Sequence, residues 1–240
     1  MRVSELSELA GDPRAGARAL ARTLGERRER ERRERRRVAG LFAFERACRR
    51  EGCARLAGVD EVGMGPLAGP VVAAAVVLPE RVELRGLDDS KRIRRAERER
   101  LAEEIRAQAL AVGIGQASRA EIDAINIYQA GLLAMRRAVT ALDPAPELVL
   151  VDGRTVPGLA PRQRSIRGGD ARIGSIAAAS IVAKVYRDAL MRELDQHFPG
   201  YGFARNCGYG TAEHLRALAE SGPTPQHRRS FAPVRAAAGG

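Results

Sequence analysis

From Pro13 to Arg50 the apolar spacing is helical, with Ala17, Leu20 and Leu24 on one stripe and a run of Arg and Glu from Glu26 to Arg37 behind it. Near Glu51-Gly52 the period changes. ARLAGVDEVG reads as a strand and VVAAAVVL as a second, joined by the Gly/Pro-rich GMGPLAGP, so the two are expected to be antiparallel neighbours. LDDSKRIRRAERERLAEEIRAQA predicts a capped amphipathic helix and ALAVGIGQAS a third strand. EIDAINIYQAGLLAMRRAVTAL predicts a long helix ending before Asp143-Pro144. PELVLVDG is a fourth strand, apolar enough for a central position, and QRSIRGGD a candidate fifth. SIAAASIVAKVYRDALMREL is a Ser/Ala-rich helix, and a turn, a helix and a coil follow. A meander followed by alternating helices and strands predicts an α/β three-layer fold with a mixed five-stranded sheet. Residues 1–50 form a basic helical extension in this reading, and residues 51–240 the main domain with a helical tail.

With 240 residues, 45% of them hydrophobic, the chain can bury a sizeable core. No apolar run approaches the ~20 residues needed to cross a bilayer, and MRVSELSELAGD lacks the apolar stretch of a secretory signal. A cytoplasmic location without a membrane partner is expected. Cys48, Cys53 and Cys207 are odd in number with no CxxC pair, so free thiols are expected.

A net charge of +11 favours a polyanionic partner. The excess is uneven, for residues 1–50 hold 15 Arg against 8 acids. Alternating sign along Glu26 to Arg37 suits a solvated helix; its net positive sum also permits a clamp on a phosphate backbone. Of 41 basic residues only Lys91 and Lys184 are Lys, which singles them out as sites where a compact ammonium is needed.

The chemistry concentrates where strands end. Asp60 and Glu61 close the first strand, Asp152 the fourth, and Asp170 follows IRGGD. Carboxyl ends of neighbouring strands converge in such a sheet, so these four carboxylates would repel one another without a divalent cation. Hard oxygen ligands imply Mg²⁺ or Mn²⁺. Gly63, Gly65 and Gly69 resemble a dinucleotide loop in spacing, but a strand rather than a helix follows them, and two acids beside the turn would repel a pyrophosphate. Such a turn instead lets backbone groups approach a ligand closely.

Together, AGVDEVGMGPLAGPVVAAAVVL, LDDSKR, LVLVDG, GGDARIGSIAAASIVAKVYRD, GYGTAEHL and GPTPQHRRSFAPV resemble ribonuclease HII in order and spacing over about residues 54–234. The resemblance implies a ribonuclease H-like fold. It also implies hydrolysis of the RNA phosphodiester at ribonucleotides embedded in duplex DNA or in RNA/DNA hybrids, leaving 3'-hydroxyl and 5'-phosphate ends, as in ribonucleotide excision repair. It makes Asp60, Glu61, Asp152 and Asp170 the catalytic metal ligands. The turn Gly63-Met64-Gly65 corresponds to the family's Gly-Arg-Gly, whose backbone reads the ribose 2'-hydroxyl. Tyr209 corresponds to the tyrosine that stacks at the ribonucleotide junction, and Lys91, Ser180 and Lys184 to positions near substrate phosphates. Two departures stand out: Met64 replaces the family's Arg, and Asn206-Cys207 replace a common His-Lys.

His197, His214 and His227 have no ligand spacing and suggest surface or capping roles. Tyr128 and Met135, seven residues apart, suggest core packing on one helix face. A monomer is expected, and deleting residues 1–50 is expected to leave a folded domain. Two other functions compete: a nucleic-acid-binding protein that no longer cleaves, and a DNA nuclease on the same fold.

Overall fold

β1 (Leu56–Val62) and β2 (Val71–Val77) are apolar along most of their length and buried on both faces, which requires a layer on each side of the sheet. The computed structural model describes residues 8–239 and supplies both layers. With β3 (Ala111–Ala117), β4 (Leu148–Asp152) and β5 (Arg162–Ile166), the strands form one sheet in the order β3-β2-β1-β4-β5. β1 runs antiparallel to β2 and parallel to β4, so the sheet is mixed, as the sequence predicts.

The helices are α1 (Ala15–Leu41), α2 (Ala43–Arg50), α3 (Arg95–Gln108), α4 (Arg119–Thr140), α5 (Gly174–His197), α6 (Phe203–Asn206), α7 (Ala212–Ser221) and α8 (Ala232–Ala237). One core layer joins Val59, Ala73 and Val151 to Met135 and Ala138 of α4. The other joins Val72, Ala74 and Val76 to Leu101 and Ile105 of α3 and Val182 of α5. At Gly58 a Cβ would lie 2.1 Å from the Ser175 carbonyl carbon, so only glycine lets α5 seat its first turn directly on β1. That seating carries Ser180 to the level of Asp60.

Three segments depart from the sequence reading. The helix predicted from Leu87 begins only at Arg95, because short acids capture the backbone before it: Asp88 Oδ1 accepts from Asp89 N (2.8 Å) and Asp89 Oδ1 from Lys91 N (2.9 Å). LDDSKR is therefore a loop. The long helix α4 is kinked at Asn126 (φ 67°, ψ 164°), whose side chain accepts from Gln129 N (3.1 Å) and so caps a second helix from within the first. After the kink Met135 is fully buried but Tyr128 is 49% exposed, so the expected common core face does not form.

The third departure is the extension, one helical pattern in sequence but two helices in the fold, broken at Phe42. The stripe near its start reaches no core, with Leu20 51% exposed. Its second half does. Val38 and Phe42 join the α3/α5 layer, and the Phe42 ring covers Gly174, the first residue of α5. Buried Glu45 accepts from Ser175 N (2.9 Å) and Ser175 Oγ (3.0 Å), so α2 supplies the cap that α5 lacks in its own sequence.

Candidate active site

The ends of β1 and β4 and the turn before α5 bring Asp60, Asp152 and Asp170 together, with one carboxylate oxygen of each within 4.8 Å of the others. Gly169 N donates to Asp152 Oδ1 (2.6 Å), closing the Arg167–Asp170 turn onto β4. Glu61 lies outside that trio, turned towards Arg154 at 3.8 Å. Burial, then the neighbouring Glu61, pushes Asp60 well above the usual carboxylate range, with a hydrogen bond from Ser180 pulling the other way. Burial also raises Glu61 against the pull of Arg154, and raises Asp152 against the Gly169 amide. Compensation inside the protein is thin: Lys91 Nζ is 3.5 Å from Asp170, on a side chain 79% exposed. Buried like charges this close, offering only hard oxygens, fit a divalent cation.

Lys91 loses some charge stability to burial but gains more from Asp170, Asp89 and Asp60, so it is held charged beside the acids. Its loop is pinned by a buried 2.9 Å hydrogen bond between Ser90 Oγ and Ser180 Oγ. Lys184 belongs to a separate group. It pairs with Asp188, which also faces Arg98 (3.4 Å) and receives the Cys207 thiol (3.3 Å).

The turn after β1 is organised from beneath by two arginines that the sequence reading passed over. Arg228, fully buried, donates to the carbonyls of Gly63 (2.6 Å), Met64 (3.2 Å) and Gly69 (3.0 Å). Arg187, equally buried, donates to Ala68 (3.1 Å), Pro70 (3.0 Å) and Cys207 (2.9 Å). Neither has a carboxylate partner among the described residues, and burial lowers both pKa values, that of Arg228 to about 9. The carbonyls of Gly63 and Met64 are thus occupied, while the N–H groups of Met64 and Gly65 donate to nothing among the described residues. Gly63 (φ 93°) allows that inversion. The Met64 thioether fills the space over Gly131 of α4 rather than facing the acids. Tyr209, 46% exposed, lies against Gly65: a Cβ there would be 3.4 Å from its ring.

His214 and His227 are not surface residues. Both are fully buried and form a directed chain: Thr224 N–H donates to His227 Nδ1 (2.9 Å), His227 Nε2–H to His214 Nε2 (2.9 Å), and His214 Nδ1–H to the Tyr209 carbonyl (2.8 Å). Only neutral rings satisfy it. Burial lowers both pKa values, and the neighbouring His214 helps bring His227 to about 4. The unfolded chain binds these protons near pH 6.5 and the folded one only lower. Stability from the pair is therefore complete above pH ~6.5 and lost as pH falls towards 4, by up to ~3 kcal/mol for His227. Thermal melting between pH 7.5 and 4.5 is expected to show a shallower acid limb for His227→Gln than for the wild type; parallel limbs would place the proton uptake elsewhere.

A family model described as Ribonuclease HII matches residues 57–234. A Ribonuclease HII of Myxococcus xanthus is 56% identical over 235 residues, covering 98% of this chain and 80% of that protein. One from Geobacillus thermodenitrificans is 54% identical over 231 residues, covering 96% and 89%. Among solved structures, the ribonuclease H2 of Pyrococcus horikoshii superposes with a TM-score of 0.66 at 26% identity, over 77% of this chain and 97% of that one.

Proposed function

The chain belongs to the ribonuclease HII family of nucleases, and from that premise we propose that it cleaves at ribonucleotides embedded in duplex DNA and in RNA/DNA hybrids, by divalent-metal catalysis that leaves 5'-phosphate and 3'-hydroxyl ends. One observation carries the substrate reading: beside the acids stands a turn whose carbonyls are held by Arg228 and whose Met64 and Gly65 amides are free, with Tyr209 against it. A 2'-hydroxyl is the group that separates RNA from DNA at one position, and it can accept from such an amide. The exposed Tyr209 ring gives the adjoining nucleotide a flat apolar surface to stack on.

Asp60, Asp152 and Asp170, with Glu61 at their edge, would hold Mg²⁺ or Mn²⁺, which supplies Lewis-acid stabilisation of the phosphate charge and acidifies the attacking water. Glu61, held by Arg154, is placed to complete the ligand set when that pairing relaxes. Lys91, charged and exposed beside Asp170, attracts the substrate phosphate. Ser180 steadies Asp60 and, through Ser90, the loop bearing Lys91. Lys184, bound to Asp188, acts further out, on the same side as Cys207 and Tyr209. The position of Met64 leaves the amides of the turn in place without the family's guanidinium.

The acids, the turn and Tyr209 all come from one chain, which supports a monomeric enzyme. Its nucleic-acid substrate supports a cytoplasmic place in ribonucleotide excision repair; among the described residues no helix is long and apolar enough to cross a membrane. The division into an extension of residues 1–50 and a catalytic domain of residues 51–240 is a functional one, since Phe44 and Cys48 of α2 share a core with Leu56, Leu150 and Ile176 of the domain it precedes.

A duplex carrying one ribonucleotide, incubated with Mg²⁺ or Mn²⁺, tests the proposal. Cutting on the 5' side of the ribonucleotide, abolished by chelation, is expected. Binding without cutting would instead make the protein a non-cleaving binder, and cutting of an all-DNA duplex would make it a DNA nuclease.

A further inference from the structure

β5 is an edge strand, and its sequence RQRSI followed by Arg167 places arginines where its outer side meets solvent. Arg162, Arg164 and Arg167 are exposed, as is Arg172 one turn on, and none is in salt-bridge contact with a carboxylate among the described residues. Glu51 shares a cleft between α2 and β5 with Arg162 and Arg164 but pairs with neither. The Arg164 guanidinium stands over the Phe44 ring of α2 at 5.8 Å, which holds it near the surface of the sheet edge.

This row is continuous with the acids. Ile166 is the register partner of Asp152, Arg167 follows it, and the next turn delivers the Gly169 amide to Asp152 and then Asp170 itself. At ~3.3 Å per residue, the strand carries positive charge about 13 Å back from the acid cluster, the length of about four base pairs of duplex. Helix α1 differs in kind: its 10 Arg are interleaved with 4 Glu, and Arg27–Glu31 and Arg37–Glu34 pair along it.

We infer that the arginine edge of β5 is a phosphate-binding track that holds the substrate duplex flanking the cleaved nucleotide, on the side of the acids away from Tyr209. The inference rests on the reading that the substrate is a ribonucleotide-bearing duplex. Each arginine that neutralises a phosphate releases a condensed counterion, and the guanidinium needs no pocket to do so. Charged side chains on an edge strand also deter pairing with other chains, but that role leaves nucleic-acid affinity untouched.

The test is fluorescence anisotropy of a duplex with one ribonucleotide, in chelator, over about 50–200 mM salt. The triple variant Arg162→Gln, Arg164→Gln, Arg167→Gln is compared with the wild type and with a charge-matched variant of α1, Arg30→Gln, Arg33→Gln, Arg36→Gln. The β5 variant is expected to lose about 2–3 units from the slope of log affinity against log salt, at ~0.9 per contact, and the α1 variant less than one. An unchanged slope, or an equal loss in both variants, overturns the inference. Should the triple variant melt early, Arg162→Gln and Arg164→Gln singly must each remove about one unit. With metal present, KM of the β5 variant should rise while kcat holds. Wild-type cleavage of the same duplex alongside an unchanged slope sinks the track and leaves the proposed function standing, whereas a wild type that neither binds nor cuts it sinks both.

Discussion

Replacing Asp152 by Asn is expected to lower cleavage of a ribonucleotide-bearing duplex by more than about 100-fold while the protein stays folded and still binds that duplex. Loss of a group that merely orients a metal ligand already costs about 10–100-fold, so loss of a direct ligand charge should exceed that range. Asparagine keeps the shape and can still accept from the Gly169 amide, which closes the turn onto β4. Asp60→Asn should be equally inactive and differ in one respect. Asp60 is almost fully buried, and burial and neighbouring carboxylates both disfavour its charge, so removing that charge should raise the melting temperature in chelator. The gain should shrink when Mg²⁺ or Mn²⁺ is added, since the wild type then gains more from a cation at that site than the variant does. Kinetics on the duplex together with melting curves, with and without metal, decide the matter. A variant retaining wild-type turnover would remove Asp152 from the ligand set. Parallel loss of activity and of fold would leave the acids with a structural role.

The strand-end acids were legible because two rules act together: apolar strands bury what they carry, and parallel neighbours end at one edge. The sheet order, with β1 beside β4, then brings Asp60 to Asp152. Partnerships fixed by tertiary contact were not legible. Nothing local marks Arg187 and Arg228 as buried, because their ligands are main-chain carbonyls from distant segments. His214 and His227 are thirteen residues apart, a spacing that no metal motif or helix face would select, and they meet only when the tail folds over α7. The LDDSKR loop carried a sign that was available: two Asp and a Ser in succession compete with helical hydrogen bonds, and here they win. Asn126 carried another, being the kind of residue that tolerates positive φ and caps a helix three residues on.

The extension is where the sequence misleads most, and truncation exposes the difference. Deleting residues 1–50 is expected to unfold or aggregate the remainder rather than leave a working domain. Phe42 and Val38 are each 8% exposed within the α3/α5 layer, and truncation of a buried Phe alone costs about 3–5 kcal/mol. Glu45 caps α5 at Ser175, worth about 0.5–2 kcal/mol more. The sum rivals the whole stability of an ordinary domain, about 5–15 kcal/mol. Deleting only residues 1–30 should cost about 1 kcal/mol or less, because it spares Glu34, which accepts from Gly86 N (3.2 Å), and Arg37, which donates to the Leu87 carbonyl (2.7 Å), together with Val38, Phe42 and Glu45. Both truncations are to be compared by thermal melting and by cleavage of the ribonucleotide duplex. A cooperative transition near the wild-type temperature for the longer deletion would show that the α2 contacts are dispensable. A pronounced loss for the shorter one would mean that the charged first half of α1, solvated along most of its length, contributes to the fold through its own arginines.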